Sequence, residues 1–157
     1  MKNTRTVLRT TTAALAACLA LAAARTAPCG SRPELAGGEG FRLVVNRANP
    51  ATAIARNEAA RLFLKKITEW PDGTPVAVVD QVRTAPVRAA FSRDVHKKEV
   101  DAVVAYWATL VYSARETPPP VKRSDAEVLD FVRQTPGALG YVSADAPLEG
   151  VKAVPLR

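Results

Sequence analysis

The chain has 157 residues, enough for one domain with a packed core. Its formal net charge is +7, but acidic residues are interspersed with the basic ones, and no Lys/Arg tract with interleaved aromatics exists to track a phosphate backbone, which argues against nucleic acid as a partner. Two cysteines cannot build a disulfide framework, and a single histidine leaves no metal-ligand set, so a hydrophobic core must hold the fold and no cofactor is expected.

Residues 1–24 carry Lys2, Arg5 and Arg9, followed by the uncharged small and apolar run 10–24. A basic segment, an apolar segment and small residues at the end describe a secretory signal peptide, with cleavage expected near Ala24. The run falls short of the roughly 20 residues that span a bilayer. Cleavage there leaves 133 residues at net charge +4, since three basic residues depart with the leader. The expected location is therefore periplasmic or secreted. Leu15-Ala16-Ala17-Cys18 also matches the short pattern before a lipid-modified cysteine, which makes a lipid anchor at Cys18 the alternative. Cys29 would then be a lone exported thiol. Residues 25–40, rich in Pro and Gly, read as a flexible tether ahead of an α/β domain spanning 41–157.

Phe41–Asn46 reads as a first strand, apolar and β-branched, closed by the turn-forming run 46–50. A helix is expected over 56–67, with Ala60, Phe63, Leu64 and Ile67 on one face. Trp70-Pro71-Asp72-Gly73-Thr74-Pro75 stops it, and 76–79 is an apolar run suited to a strand covered on both faces. A loop over 80–85 follows, and Pro86 opens the next helix, where its missing N–H does no harm. Val87, Ala90, Phe91 and Val95 form that helix's buried stripe, which frays around His96. A longer helix over 99–114 carries Val100, Val103, Val104, Trp107, Leu110 and Val111 at helical spacing, with burial expected for Tyr106, Trp107 and Tyr112. Residues 115–123 hold Pro118-Pro119-Pro120 and read as an extended crossing. Ser124-Asp125-Ala126-Glu127 is a capping box for a helix ending near Thr135, and 139–143 and 151–155 are two last strands. Alternating strands and helices predict a three-layer α/β domain with a mostly parallel sheet of about four or five strands.

The run 46–50, then Leu62-Phe63-Leu64-Lys65-Lys66-Ile67-Thr68-Glu69-Trp70-Pro71-Asp72-Gly73, then Arg88-Ala89-Ala90-Phe91, and finally Pro136-Gly137-Ala138-Leu139-Gly140-Tyr141-Val142-Ser143 resemble the phosphate-binding protein family of ABC importers. That family consists of periplasmic binding proteins that close two α/β lobes around an anion. The resemblance covers nearly all of the expected mature chain but matches one lobe, so it implies a short single-lobe relative. It implies a non-enzymatic exported binding protein, phosphate or a similar oxyanion as ligand, and an ABC permease or another envelope protein as partner.

The departures from the family pattern matter as much. Where the family carries a Ser-Gly-Thr-Arg-like element, this chain reads Ala85-Pro86-Val87-Arg88, so the arginine stays and the hydroxyls are lost. Lys65 stands where the family usually has glycine. The loop leaving the strand over 76–79 is expected to offer backbone N–H groups and the Arg88 guanidinium to a negative charge, with Gln81 and Thr84 as further donors. Gln81, Thr84 and Arg88 are thus the expected anion-binding residues. The scattered aspartates form no acid/base couple and His96 has no nucleophilic partner, so no catalytic or metal-binding residue is assigned. Ala85 and Val87 also leave room for a second expectation, a cell-envelope protein-interaction module that has lost the anion.

Overall fold

A computed structural model describes residues 40–113 and 116–157. The expected leader 1–24, Cys18, Cys29 and all of the expected tether except Gly40 lie outside the described residues.

Strand β1 (Phe41–Asn46) is central to a four-stranded sheet. On one side it pairs antiparallel with β5 (Ala138–Ser143), Leu43 facing Tyr141, and on the other antiparallel with β6 (Val151–Val154), Val44 facing Ala153. Strand β2 (Ala77–Val78) lies parallel to the outer side of β5. The α/β class stands, but the sheet is mixed rather than mostly parallel. Both β1 and β5 are buried on both faces. Continuous apolar runs of that kind arise in any strand covered on two sides, so the pattern does not encode strand direction.

The period of two sorts these strands into two cores. Phe41, Leu43, Val45, Leu139 and Tyr141 face helices α1 (Arg56–Phe63) and α2 (Pro86–Phe91), where Leu62, Phe63, Val87 and Phe91 pack against them. Val44, Ala138 and Val142 face the opposite way onto Val128, Leu129 and Val132 of α4 (Asp125–Gln134). The result is the expected three layers. Gly140 permits the second contact to close: a Cβ there would sit 2.8 Å from Val128 Cγ1 and 2.8 Å from Val79 Cγ1.

Helix α1 ends earlier than its periodicity suggests. Lys66 N donates to Arg61 O at 2.8 Å and Lys65 N to Leu62 O at 3.0 Å, a Schellman closure with Lys65 at φ 51°. Helix α2 runs directly into a π-helical turn, Ser92–His96, which ends at Lys97 with φ 53°. Helix α3 (Val100–Tyr112) follows. Asp80–Gln81, expected as loop, is strand β3, and it pairs parallel with β4 (Val121–Lys122) inside the expected extended crossing. At α4, Ser124 Oγ accepts from Glu127 N at 3.3 Å as the capping box predicts, while Glu127 Oε2 accepts from Arg123 N at 2.9 Å rather than from the cap residue. No helix among the described residues is long and apolar enough to cross a membrane.

Candidate functional site

The chain leaves the four-stranded sheet at Val79, fully buried against α4, and the next residue is the site's centre. Asp80 N donates to Pro120 O at 2.9 Å, which ties β3 to the proline crossing. Asp80 Oδ1 accepts from Gln81 N at 2.8 Å, from the Tyr141 hydroxyl, and from Arg88 Nη1. Arg88 Nη1 also donates to Gln81 O at 2.9 Å. A cation in the first turn of a helix opposes the dipole, and the Asp80 carboxylate beside it reverses that penalty.

Arg88 and Asp80 retain only 8% and 12% of their side-chain exposure. The sequence reading expects a guanidinium offered to solvent, and the structure corrects this: Arg88 folds inward onto an acid the loop itself supplies. The helix amides are also largely spent. Pro86 has none, and Arg88 N and Ala89 N both donate to Ala85 O, at 3.0 and 3.3 Å. Val87, standing where the family pattern has a hydroxyl, belongs to the core.

Gln81 is buried, and its Nε2 donates to Asp125 Oδ1 at 2.8 Å and to Tyr141 O at 3.0 Å. Its side chain therefore fastens β3 to β5 and to the start of α4. Thr84 is exposed on the loop. Of the three expected site residues, the structure brings Gln81 and Arg88 together around Asp80, while Thr84 makes no hydrogen bond with them and does not line the groove that Asp80 and Arg88 border. Sequence reasoning missed Asp80 and Tyr141 as members. The usable signal was an acid placed immediately after a buried apolar run and eight residues before an arginine.

Tyr141 stacks flat on Phe91, ring centroids 4.0 Å apart, so the phenol is pinned against Asp80. Burial first, and then the negative Asp80, raise its pKa and keep it a donor. His96 packs edge-on against the same Phe91 ring at 5.3 Å. Burial lowers its pKa to about 4, with Asp80 opposing and Arg88 assisting, so it is neutral at pH 7. Arg88 Nε, Ser92 Oγ and His96 Nδ1 are buried without a hydrogen-bond partner, and the three residues recur every four positions along α2 and the π-turn.

Asp80 and Arg88 lie at one side of a groove of about 570 Å³ whose other lining residues are apolar. Helix α3 supplies Val104, Trp107 and Val111 to one wall, and Pro118, Pro119 and Val121 form the other. Trp107 is buried as expected, but Tyr112 is 95% exposed, which corrects the expectation of burial. Tyr112 is the last residue of α3. Among the described residues no group of three or more His, Cys, Asp and Glu could hold a metal ion.

A family model described as a PBP superfamily domain matches residues 8–154. Three solved structures share the fold. An ABC-type phosphate transport receptor from Vibrio cholerae aligns at TM-score 0.59 and 22% identity, over 74% of this chain and 46% of its own. A protein from Clostridium perfringens, crystallised with bound phosphate and assigned as a phosphate ABC transporter substrate-binding protein, aligns at TM-score 0.59 and 20% identity, over 74% and 44%. A candidate phosphate binding protein from Planctomyces limnophilus aligns at 0.57 and 17%, over 75% and 41%. The chain thus spans less than half the length of each of these structures. No curated protein matches it.

Proposed function

The chain belongs to the PBP superfamily, and from that premise we propose that it is an exported, non-enzymatic binding protein whose ligand is a small oxyanion of the phosphate class. The observation that carries this reading is the Asp80–Arg88 pair at the groove. A lone buried arginine would take any oxyanion of suitable size. An arginine already joined to a carboxylate presents donor and acceptor together at no net charge. A ligand oxygen accepts from the guanidinium, and a ligand hydroxyl donates to the Asp80 carboxylate. A fully ionised anion has no proton to offer and meets the carboxylate's repulsion. The reading therefore favours oxyanions that keep a proton near neutral pH, such as hydrogen phosphate.

Thr84, exposed on the same loop, is the hydroxyl available to a ligand, and Gln81 positions β3 through its bonds to Asp125 and Tyr141. Chemistry on the ligand forms no part of this role. The leader expected over residues 1–24 supports a location in the periplasm or outside the cell, and an ABC permease is the partner that this role would require. The test uses two substitutions that leave the buried pair intact. Titration calorimetry with inorganic phosphate should show weaker binding in Thr84→Val and tighter binding in Ala85→Ser, which restores a hydroxyl at the helix cap. Equal affinity in all three proteins would remove the loop from the binding role.

A second reading, a cell-envelope interaction module, is favoured by a different observation. The large hydrophobic residues exposed among the described residues are Val104, Val111, Tyr112 and Val121, and all four line the one groove. Patches of contiguous apolar surface mark association sites.

A further inference from the structure

We infer that a second cavity, which shares no lining residue with the groove, binds a small organic acid, the carboxylate held by Lys66 and Lys98 and the hydrocarbon body laid against α3. The inference is independent of what binds at Asp80 and Arg88.

The cavity measures about 300 Å³, at the lower end of the range for small-molecule sites. Helix α3 supplies one wall through Ala102, Ala105, Tyr106 and Thr109, whereas it gives Val104, Trp107 and Val111 to the groove. Leu64 and Lys66, just past the end of α1, and His96 and Lys98, at the end of the π-helical turn, complete it together with Val103.

One backbone device places both lysines. Among the described residues, the two non-glycine positions with positive φ are Lys65 at 51° and Lys97 at 53°, and each directly precedes a lysine of the cavity. The first lysine of each pair is engaged elsewhere: Lys65 Nζ donates to Thr117 O at 2.7 Å, and Lys97 Nζ bonds Asp94 at 3.4 Å. The second is not. Lys66 and Lys98 form no ion pair among the described residues. A lysine past a helix C-terminus ordinarily answers the carbonyls left there. Here those carbonyls are already taken. Arg61 O accepts from Lys66 N at 2.8 Å, Leu62 O from Lys65 N at 3.0 Å, and Ser92 O from Lys98 N at 3.3 Å. Leu64 O accepts from the Tyr106 hydroxyl at 3.3 Å. The two ammonium groups are thus left without that role.

Charge and surface together select the ligand. No acid lines the cavity, and Asp101, near the start of α3, is bonded to Arg83 at 2.7 Å. His96 is neutral at pH 7, so the charge of the lining is that of the two lysines. An anion is the complementary occupant. A bare inorganic anion would leave Leu64, Ala102, Val103 and Ala105 facing water, whereas an acid with a hydrocarbon body covers them.

His96 is the chain's single histidine, so its ring gives one assignable magnetic resonance signal on the cavity wall. Titration of the untagged purified chain with octanoate, followed at that ring, tests the inference. The signal should shift and saturate at millimolar octanoate or below, and 1-octanol, of equal length but uncharged, should shift it far less. Lys66→Gln combined with Lys98→Gln, both at exposed positions, should weaken octanoate binding by about fivefold, the yield of two exposed ion pairs, with the circular dichroism melt unchanged. Ala105→Phe, exposed on the α3 wall, should block binding by filling the cavity. No shift with octanoate, an equal response to 1-octanol, or a response unchanged by the lysine pair or by Ala105→Phe would overturn the proposal.

Discussion

Arg88 Nη1 bonds Asp80 Oδ1 across the turn that joins β3 to α2, with both side chains nearly out of water. The pair holds the loop as a structural unit as well as forming the candidate site. Removing one member strands a buried charge, so Arg88→Met should cost about 3–5 kcal/mol in denaturant unfolding. Replacing both, as Arg88→Met with Asp80→Leu, removes the stranded charge and should cost less than Arg88→Met alone. A double loss equal to the sum of the losses from Arg88→Met and Asp80→Leu alone would show that the two groups do not sense each other.

His96 gives the fold a pH dependence of known sign. Its folded pKa is lowered by burial to about 4, against an ordinary value of 6.5. The unfolded chain therefore binds the proton more readily between those values. Stability from this residue is fully present above pH 6.5 and is lost as the pH falls toward 4, by roughly 2–3 kcal/mol. His96→Phe keeps an aromatic ring against Phe91 and should flatten the profile in that window. Asp72, whose pKa is lowered by the Thr74 amide, titrates below the window and should leave the comparison clear.

Lys65 occupies a left-handed backbone position at φ 51° in the closure of α1. A side chain there costs on the order of 1 kcal/mol relative to glycine. Lys65→Gly should therefore raise stability by up to about that amount, offset in part by losing the bond from Lys65 Nζ to Thr117 O. Thermal melts of the two proteins would show it. Lys65→Ala, which keeps a Cβ, should bring no such gain.

These residues also show what the sequence made legible. The periodicity of residues 41–46, the Trp-Pro-Asp-Gly stop and the Ser124 cap carry their structure locally, and each element lies close to its expected place. Strand direction does not, because a doubly buried strand such as β5 has the same apolar run whichever way it points. The fate of Arg88 was hidden for a related reason. Its partner Asp80 sits eight residues away on another element, and only the fold of β3 against α2 brings them together. Tyr112 belongs to an apolar pattern that normally signals burial, yet it stands exposed at the last residue of α3.

The central claim is that the Asp80–Arg88 pair receives an oxyanion that carries a proton. Isothermal titration of the purified chain at pH 7 with phosphate and with sulfate, anions of the same shape that differ in protonation, tests it directly. The account predicts saturable heat with phosphate and none with sulfate at matched concentration. Comparable heats from both anions, or no heat from phosphate at millimolar concentration, would contradict it.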